Sequence, residues 1–215
     1  MENKALQDLR QEYQNEELNE TSVHADPVKQ FENWFQEALD AGVPEPNAMT
    51  LATANVDFKP CARIVLLKGI EDGSFVFFTN YNSRKGKELL WNPYATLLFF
   101  WSELSRQVRI EGRVVKIAEE ASEEYFHKRP FGSQVGAVVS PQSEVIVSRS
   151  VLDEKMTALE KEYLGKTVPR PSHWGGYKVI PNAIEFWQGR QNRLHDRLLF
   201  TLEENNLWKL ERLAP

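Results

Sequence analysis

The chain changes its period at about residue 47, and that change constrains the fold more than any other feature. From there to about residue 118 the apolar residues gather in short strand-like runs: AMTLATAN, CARIVLLKG, SFVFFTN, YATLLFFWS and RQVRIEGRVVKI. Turn-forming residues such as Asp57 and Glu71-Asp72-Gly73 separate them. The pattern resumes near the end with GGYKVIP, AIEFWQG, RLHDRLLFTL and LWKLERL, the last two joined by a turn at 203–206. Many strands in meander-like succession, with few helices between them, predict an antiparallel sheet or barrel rather than a doubly wound one. The expected class is α+β, mainly antiparallel β.

Helices punctuate this pattern. Asp26-Pro27 supplies an N-cap and a proline at the first helical position, Phe31, Trp34, Phe35, Ala38 and Leu39 follow at amphipathic spacing, and Gly42 closes the helix. SRKGKELLW (83–91) is a short helix between strands, AEEASEEYFHKRP is a helix stopped by Pro130, and VLDEKMTALEKEYLGK carries Leu152, Met156, Leu159 and Tyr163 on one stripe. Residues 1–25 are polar and read as a mobile N-terminal arm, leaving 26–215 as a single domain.

A net charge of -5 argues against a general nucleic-acid binder, so any bound anion must meet a local cation cluster. Cys61 is the only cysteine, which excludes an intrachain disulfide and fits a reducing compartment. The first twenty residues have no apolar core for a signal peptide and no run reaches membrane-spanning length, so a cytoplasmic protein is expected. His24, His127, His173 and His195 lack metal-ligand spacing, and there is neither a phosphate-binding glycine loop nor a nucleophile elbow.

The cations fall in recurrent places. In RLHDRLLFTL a period of two puts Arg193, His195 and Arg197 on one face. Such a row suits a solvated outer face, or a pocket for a phosphate, carboxylate or aromatic ring. In RIVLLKG, Arg63 and Lys68 bracket Ile64, Val65, Leu66 and Leu67, so the strand centre should be buried with its cations at the ends. Arg84 and Lys85 lie in the first turn of the 83–91 helix, where the dipole disfavours positive charge unless an anion binds there. A solvated first turn is the alternative. Tyr125 and Arg129, four apart on a helix, with Ser133 just beyond the Pro130 stop, form a plausible second phosphate cradle. Gln142 and Ser143 add uncharged donors.

Taken together, ARIVLLKG, FFTNYNSRKGKEL, RQVRIEGRV, YFHKRPFGSQVGA, EFWQG and RLHDRLLF…LWKLERLAP resemble the pyridoxamine 5′-phosphate oxidase family, in unbroken order from about Arg10 to the last residue. The resemblance implies an FMN-binding split β-barrel with peripheral helices, and a homodimer whose two active sites use both subunits. It implies oxidation of pyridoxamine 5′-phosphate or pyridoxine 5′-phosphate to pyridoxal 5′-phosphate by molecular oxygen. For FMN the family pattern falls on Arg63, Ile64, Val65, Leu66, Leu67, Lys68, Phe78, Thr79, Arg84, Lys85, Gln107, Gln142, Ser143, Trp187 and Arg197. For the substrate it falls on Lys68, Tyr125, Arg129 and Ser133 around the phosphate. Arg193 and His195 fall near the pyridine ring, as the catalytic pair. Arg10 and Tyr13 would close over the site. Position 78 is Phe where the family often has Tyr, which implies contact through its backbone. Two rivals remain: another flavin oxidoreductase on the same barrel, which would keep only the FMN-type cluster, and a non-catalytic flavin or pyridoxal-phosphate carrier.

Overall fold

The computed structural model describes residues 17–215. The strands are β1 (Ala48–Ala54), β2 (Pro60–Leu66), β3 (Gly69–Glu71), β4 (Ser74–Asn80), β5 (Tyr94–Trp101), β6 (Arg106–Lys116), β7 (Trp174–Gln188), β8 (Asp196–Leu202) and β9 (Trp208–Arg212). The helices are α1 (Pro27–Asp40), α2 (Arg84–Trp91), α3 (Glu119–Lys128), α4 (Phe131–Val139) and α5 (Ser150–Tyr163). The strands join in the order β2-β1-β5-β6-β7-β4-β3, with β8 added to β7 and β9 to β8. The β3–β4, β4–β7, β7–β8 and β8–β9 pairs are antiparallel.

The chain packs as two compact units. The first contains 17–49, 97–111 and 181–215, and the second contains 50–96 and 112–180. In the first, α1 starts as its sequence requires: Asp26 accepts a hydrogen bond from the Val28 N–H with Pro27 at the first position, and Gly42 takes a φ of +68° after its end. Its buried face carries Phe31 and Trp34, whose rings lie 4.9 Å from Phe99 and 5.2 Å from Phe186. Each such side chain contributes about 1.5–3 kcal/mol of burial as an upper bound. In the second unit, Leu51, Phe75, Phe77 and Val179 are buried among the strands. A further cluster of Phe126, Val135, Val139, Val168 and Trp174 is covered by Leu152, Met156 and Leu159 of α5.

Five features depart from the sequence expectations. GGYKVIP and AIEFWQG are one continuous strand, β7. Its residues 174–179 pair with β4 and its residues 183–188 with β8, so Pro181, which has no N–H to donate, falls between the two ladders. Pro130 does end α3, but a second helix, α4, begins directly after it. FGSQVGAVV has poor helix propensity, and burial of Val135 and Val139 overrides it. Strand β8 begins only at Asp196: Asn192 and Arg193 take left-handed φ values of 55° and 61°, which an extended strand cannot contain.

The centre of β2 is not buried, because Ile64 is 65% and Leu66 36% exposed on this edge strand. The described end of the expected N-terminal arm is held down. Leu18 is buried and its N–H donates to Asp196. Glu17 pairs with Arg190 and Glu20 with Arg212 at 2.9 and 2.8 Å, and Arg212 holds the Glu20 carboxyl down to about 2.

Candidate functional site

In the second unit, the first turn of α2 assembles a cation cluster. Ser83 caps the helix, accepting from the Gly86 N–H, while its hydroxyl donates to the Asn80 carbonyl at 2.6 Å. Glycine is required at 86 because a Cβ there would lie 2.0 Å from the Tyr81 carbonyl oxygen. This close approach seats Lys85 inward, only 8% exposed. Its ammonium donates to Gln142 Oε1 (2.9 Å), Thr79 Oγ1 (3.2 Å) and Ser83 Oγ (3.3 Å), all neutral oxygens. Burial pulls the Lys85 pKa below the usual lysine range and Arg63 adds to the shift, with Glu88 opposing it. A desolvated ammonium whose acceptors among the described residues are all neutral calls for an anion.

Arg84 and Arg63 meet on Glu88. Arg84 Nε donates to Glu88 Oε1 at 2.8 Å, and Arg63 Nη2 donates to Oε2 at 3.0 Å. Arg63 Nη1 also donates to Thr53 Oγ1 and the Leu51 carbonyl. Burial alone would raise the Glu88 pKa. Hydrogen bonds from Thr53, Arg84 and Arg63 outweigh it and hold the carboxyl below its ordinary value. A cleft of about 500 Å³ opens beside this cluster, lined by Asn55, Arg84, Lys87, Glu88, Trp91 and Ser143. Of the expected FMN residues, the structure thus joins Thr79, Lys85 and Gln142 in one network and Arg63 with Arg84 in another, while Ser143 shares the cleft wall with Arg84. Ile64, Val65 and Leu66 lie along β2, Leu67 is buried after it, and the exposed Lys68 donates its backbone N–H to Val76.

The same unit holds the expected substrate-phosphate group. Arg129, the residue after α3, lays its guanidinium over Trp174, 4.5 Å from the ring centroid. Its Nη1 is buried with no hydrogen-bond partner among the described residues, and burial lowers its pKa. Tyr125 stacks on Phe78 at 3.9 Å between centroids, and Phe78 stacks on Trp174 at 5.4 Å. The Phe78 side chain is therefore used in packing. Ser133, just beyond the Pro130 stop as expected, lies in the exposed first turn of α4.

In the first unit, His195 and Trp187 lie side by side, ring centroids 4.6 Å apart. The Arg190 N–H donates to His195 Nδ1 at 3.1 Å, so Nδ1 is the acceptor and the neutral ring carries its proton on Nε2. Burial lowers the His195 pKa, and Arg193 lowers it further. The period-two argument for Arg193, His195 and Arg197 on one strand face fails, since the first two precede β8. Arg193 is exposed on the left-handed turn. Arg197, opposite Trp187 in the ladder, donates to Glu185 at 2.7 Å and to the Ala214 carbonyl. Gln107 is half-buried on β6. Arg10 and Tyr13 lie outside the described residues.

The sequence reading missed Glu88 and Glu185, two buried carboxylates that each hold two arginines. Glu185 is 3% exposed and takes Arg109 as well as Arg197. Two signals pointed to them. Glu88 stands four residues after Arg84, and Glu185 interrupts the apolar run AIEFW.

Known proteins match this chain along nearly its whole length. Residues 35–162 match the family described as pyridoxamine 5′-phosphate oxidase. Residues 174–215 match the pyridoxine 5′-phosphate oxidase C-terminal dimerisation region. A pyridoxine/pyridoxamine 5′-phosphate oxidase of Trichormus variabilis is 55% identical over 212 residues, 99% of each chain. One from Cupriavidus necator is 54% identical over 213 residues, 98% of this chain and 99% of its own. Among solved structures, PhzG from Burkholderia lata, in complex with tetrahydrophenazine-1-carboxylic acid, superposes with a TM-score of 0.87 at 31% identity, covering 94% of this chain and 99% of its own. The fold is the split barrel with peripheral helices that the family shares, and the chain belongs to the pyridoxine/pyridoxamine 5′-phosphate oxidase family.

Proposed function

We propose that this chain is an FMN-dependent oxidase that converts pyridoxamine 5′-phosphate and pyridoxine 5′-phosphate to pyridoxal 5′-phosphate. Molecular oxygen is the electron acceptor, and the products include hydrogen peroxide, with ammonia from the amine. The observation that carries this reading is the pair of desolvated cations in the second unit. Lys85 is buried among neutral oxygens, and Arg129 keeps a buried N–H without an acceptor among the described residues. These two places fit two phosphates, one on the cofactor and one on the substrate, since a phosphate carries about -1.5 to -2 charge and strong acceptor oxygens. Family membership at 55% identity supports the same assignment.

When bound, FMN supplies the two-electron chemistry, accepting a hydride equivalent from the substrate and passing its electrons to oxygen. The protein's task is to bind and orient. Lys85, Arg84, Arg63, Thr79, Gln142 and Ser143 would hold the cofactor, and the family resemblance adds Gln107, Trp187 and Arg197. Arg129 and Tyr125 would anchor the substrate phosphate, with Lys68 and Ser133 as further donors. Arg193 would press on the pyridine ring by cation–π contact. His195, neutral and protonated at Nε2, would present a donor to the ring's polar substituents. Arg10 and Tyr13 would cover the substrate.

The functional form is a homodimer, supported by the dimerisation-region match and by the apolar residues that β2 and its neighbours leave exposed. A cytoplasmic location fits the lone cysteine, and no described helix is long and apolar enough to cross a membrane. The test is the absorption spectrum of the purified protein. Flavin bands should be present or restorable with FMN, should bleach on adding pyridoxamine 5′-phosphate without air, and should return with peroxide when air is admitted. A protein that takes up no FMN overturns the reading; one that binds FMN without bleaching is a carrier.

A further inference from the structure

We propose that Glu88 is a positioning residue for cofactor binding, acting through Arg63 and Arg84. The proposal rests on the reading of the α2 cluster as the site of the FMN phosphate.

The geometry is specific. Glu88 is 5% exposed and uses its two oxygens on different partners: Oε1 takes Arg84 Nε, and Oε2 takes both Arg63 Nη2 and the Thr53 hydroxyl, the latter at 2.5 Å. Arg84 is gripped only at Nε, so its two terminal nitrogens make no hydrogen bond among the described residues. Arg84 lines the cleft that Ser143 also lines. A guanidinium pinned at Nε and open at its outer fork is pre-organised for a phosphate, because less side-chain freedom is lost on binding. Arg63 is likewise fixed in one plane by Leu51, Thr53 and Glu88. Charge points the same way. Arg63, Arg84 and Lys85 together with one carboxylate leave about two positive charges, the complement of a phosphomonoester. The rival role for Glu88 is that of an internal anion competing for the arginines. It would require the carboxylate to hold both outer forks; Glu88 takes one terminal nitrogen of Arg63 but only Nε of Arg84, so the fork left for the phosphate is that of Arg84.

The experiment titrates FMN-free protein with FMN and, separately, with riboflavin, which lacks the phosphate, following the quenching of flavin fluorescence. In the wild-type protein FMN should bind far more tightly than riboflavin. Equal affinities would remove the phosphate reading itself. Glu88→Gln should weaken FMN at least tenfold and leave riboflavin unchanged, and in an Arg84→Ala background the same change should cost much less. Thr53→Val, which keeps shape and charge but removes one hydrogen bond to the carboxylate and one acceptor of Arg63 Nη1, should weaken FMN a fewfold with the same selectivity. It decides the matter if Glu88→Gln does not fold. Tighter FMN binding, equal losses for both flavins, or full additivity with Arg84→Ala would overturn the proposal.

Discussion

Lys85 and Arg129 are each an electrostatic debt in the ligand-free chain, and each sets a prediction. For Lys85, burial places the folded pKa below the ordinary 10.5. Between those two values the unfolded chain binds the proton more tightly, so the stability of FMN-free protein rises with pH across that window. A phosphate favours the charged ammonium. FMN binding therefore takes up a proton in the same window, and FMN affinity falls as pH rises through the depressed pKa. Titrating the FMN dissociation constant against pH should show this loss, and Lys85→Met should bind weakly with the loss abolished. A pH-independent constant in the wild-type protein would exclude Lys85 from the phosphate.

Arg129→Met keeps an apolar stem over Trp174 and removes a buried N–H that has no acceptor among the described residues. Leaving such a group unpaired costs about 1–3 kcal/mol, so the substrate-free variant should melt no lower than wild type. Its KM for pyridoxamine 5′-phosphate should rise about tenfold to a hundredfold, the equivalent of one charge-assisted hydrogen bond. FMN content should not change. A lowered melting point would make Arg129 structural.

At the scale of elements, most of the strand and helix order was legible because period and turn chemistry are local properties. Asp26-Pro27 and Gly42 bound α1 where a cap, a proline and a left-handed glycine predict. The misreadings arose where a distant contact decides. Nothing local in FGSQVGAVV favours a helix, yet Val135 and Val139 are buried by α5 and neighbouring residues. The start of β8 was misplaced because two successive left-handed residues, neither of them glycine, carry no strong signal. Arg193 and His195, paired by the resemblance, were thus placed on β8 by a wrong periodicity.

Gly86 supplies an element-scale prediction in which two effects compete. Ala for Gly inside a helix ordinarily gains about 1 kcal/mol. Here the added Cβ would meet the Tyr81 backbone at 2.0–2.8 Å, and a carbonyl cannot rotate away as a side chain can. Overpacking of that kind costs about 1–3 kcal/mol, so the clash wins. Gly86→Ala should lower the melting temperature and, by shifting the first turn of α2, weaken FMN more than riboflavin. A stabilised variant would mean that α2 slides freely on Tyr81, and the seating of Lys85 would need another cause.

For the whole molecule, the clearest clue lies in what the single chain leaves bare. On β2 alternate residues face out, and the outward set includes Ile64 and Leu66, beyond which Val56, Phe58, Leu90, Trp91 and Tyr94 are also exposed. Val56 and Trp91 line the same cleft as Arg84 and Ser143, so apolar exposure reaches the edge of the cation cluster. An apolar edge strand is an association hazard unless another surface covers it, and a second copy of the chain is the expected occupant, since the match of residues 174–215 to a dimerisation region supports a dimer. Sequence reasoning took the apolar centre of RIVLLKG as evidence of burial within the chain, because hydropathy reports that a residue wants cover without saying which molecule provides it. Ile64→Glu should therefore convert the protein to a monomer, seen as halving of the sedimentation mass at micromolar concentration. If each active site draws on both subunits, the same variant should lose FMN in step with dimer dissociation, and raising protein concentration should restore both together. A variant that stays dimeric would put the β2 face outside the interface. A monomer with undiminished FMN would show that one chain suffices to hold the cofactor.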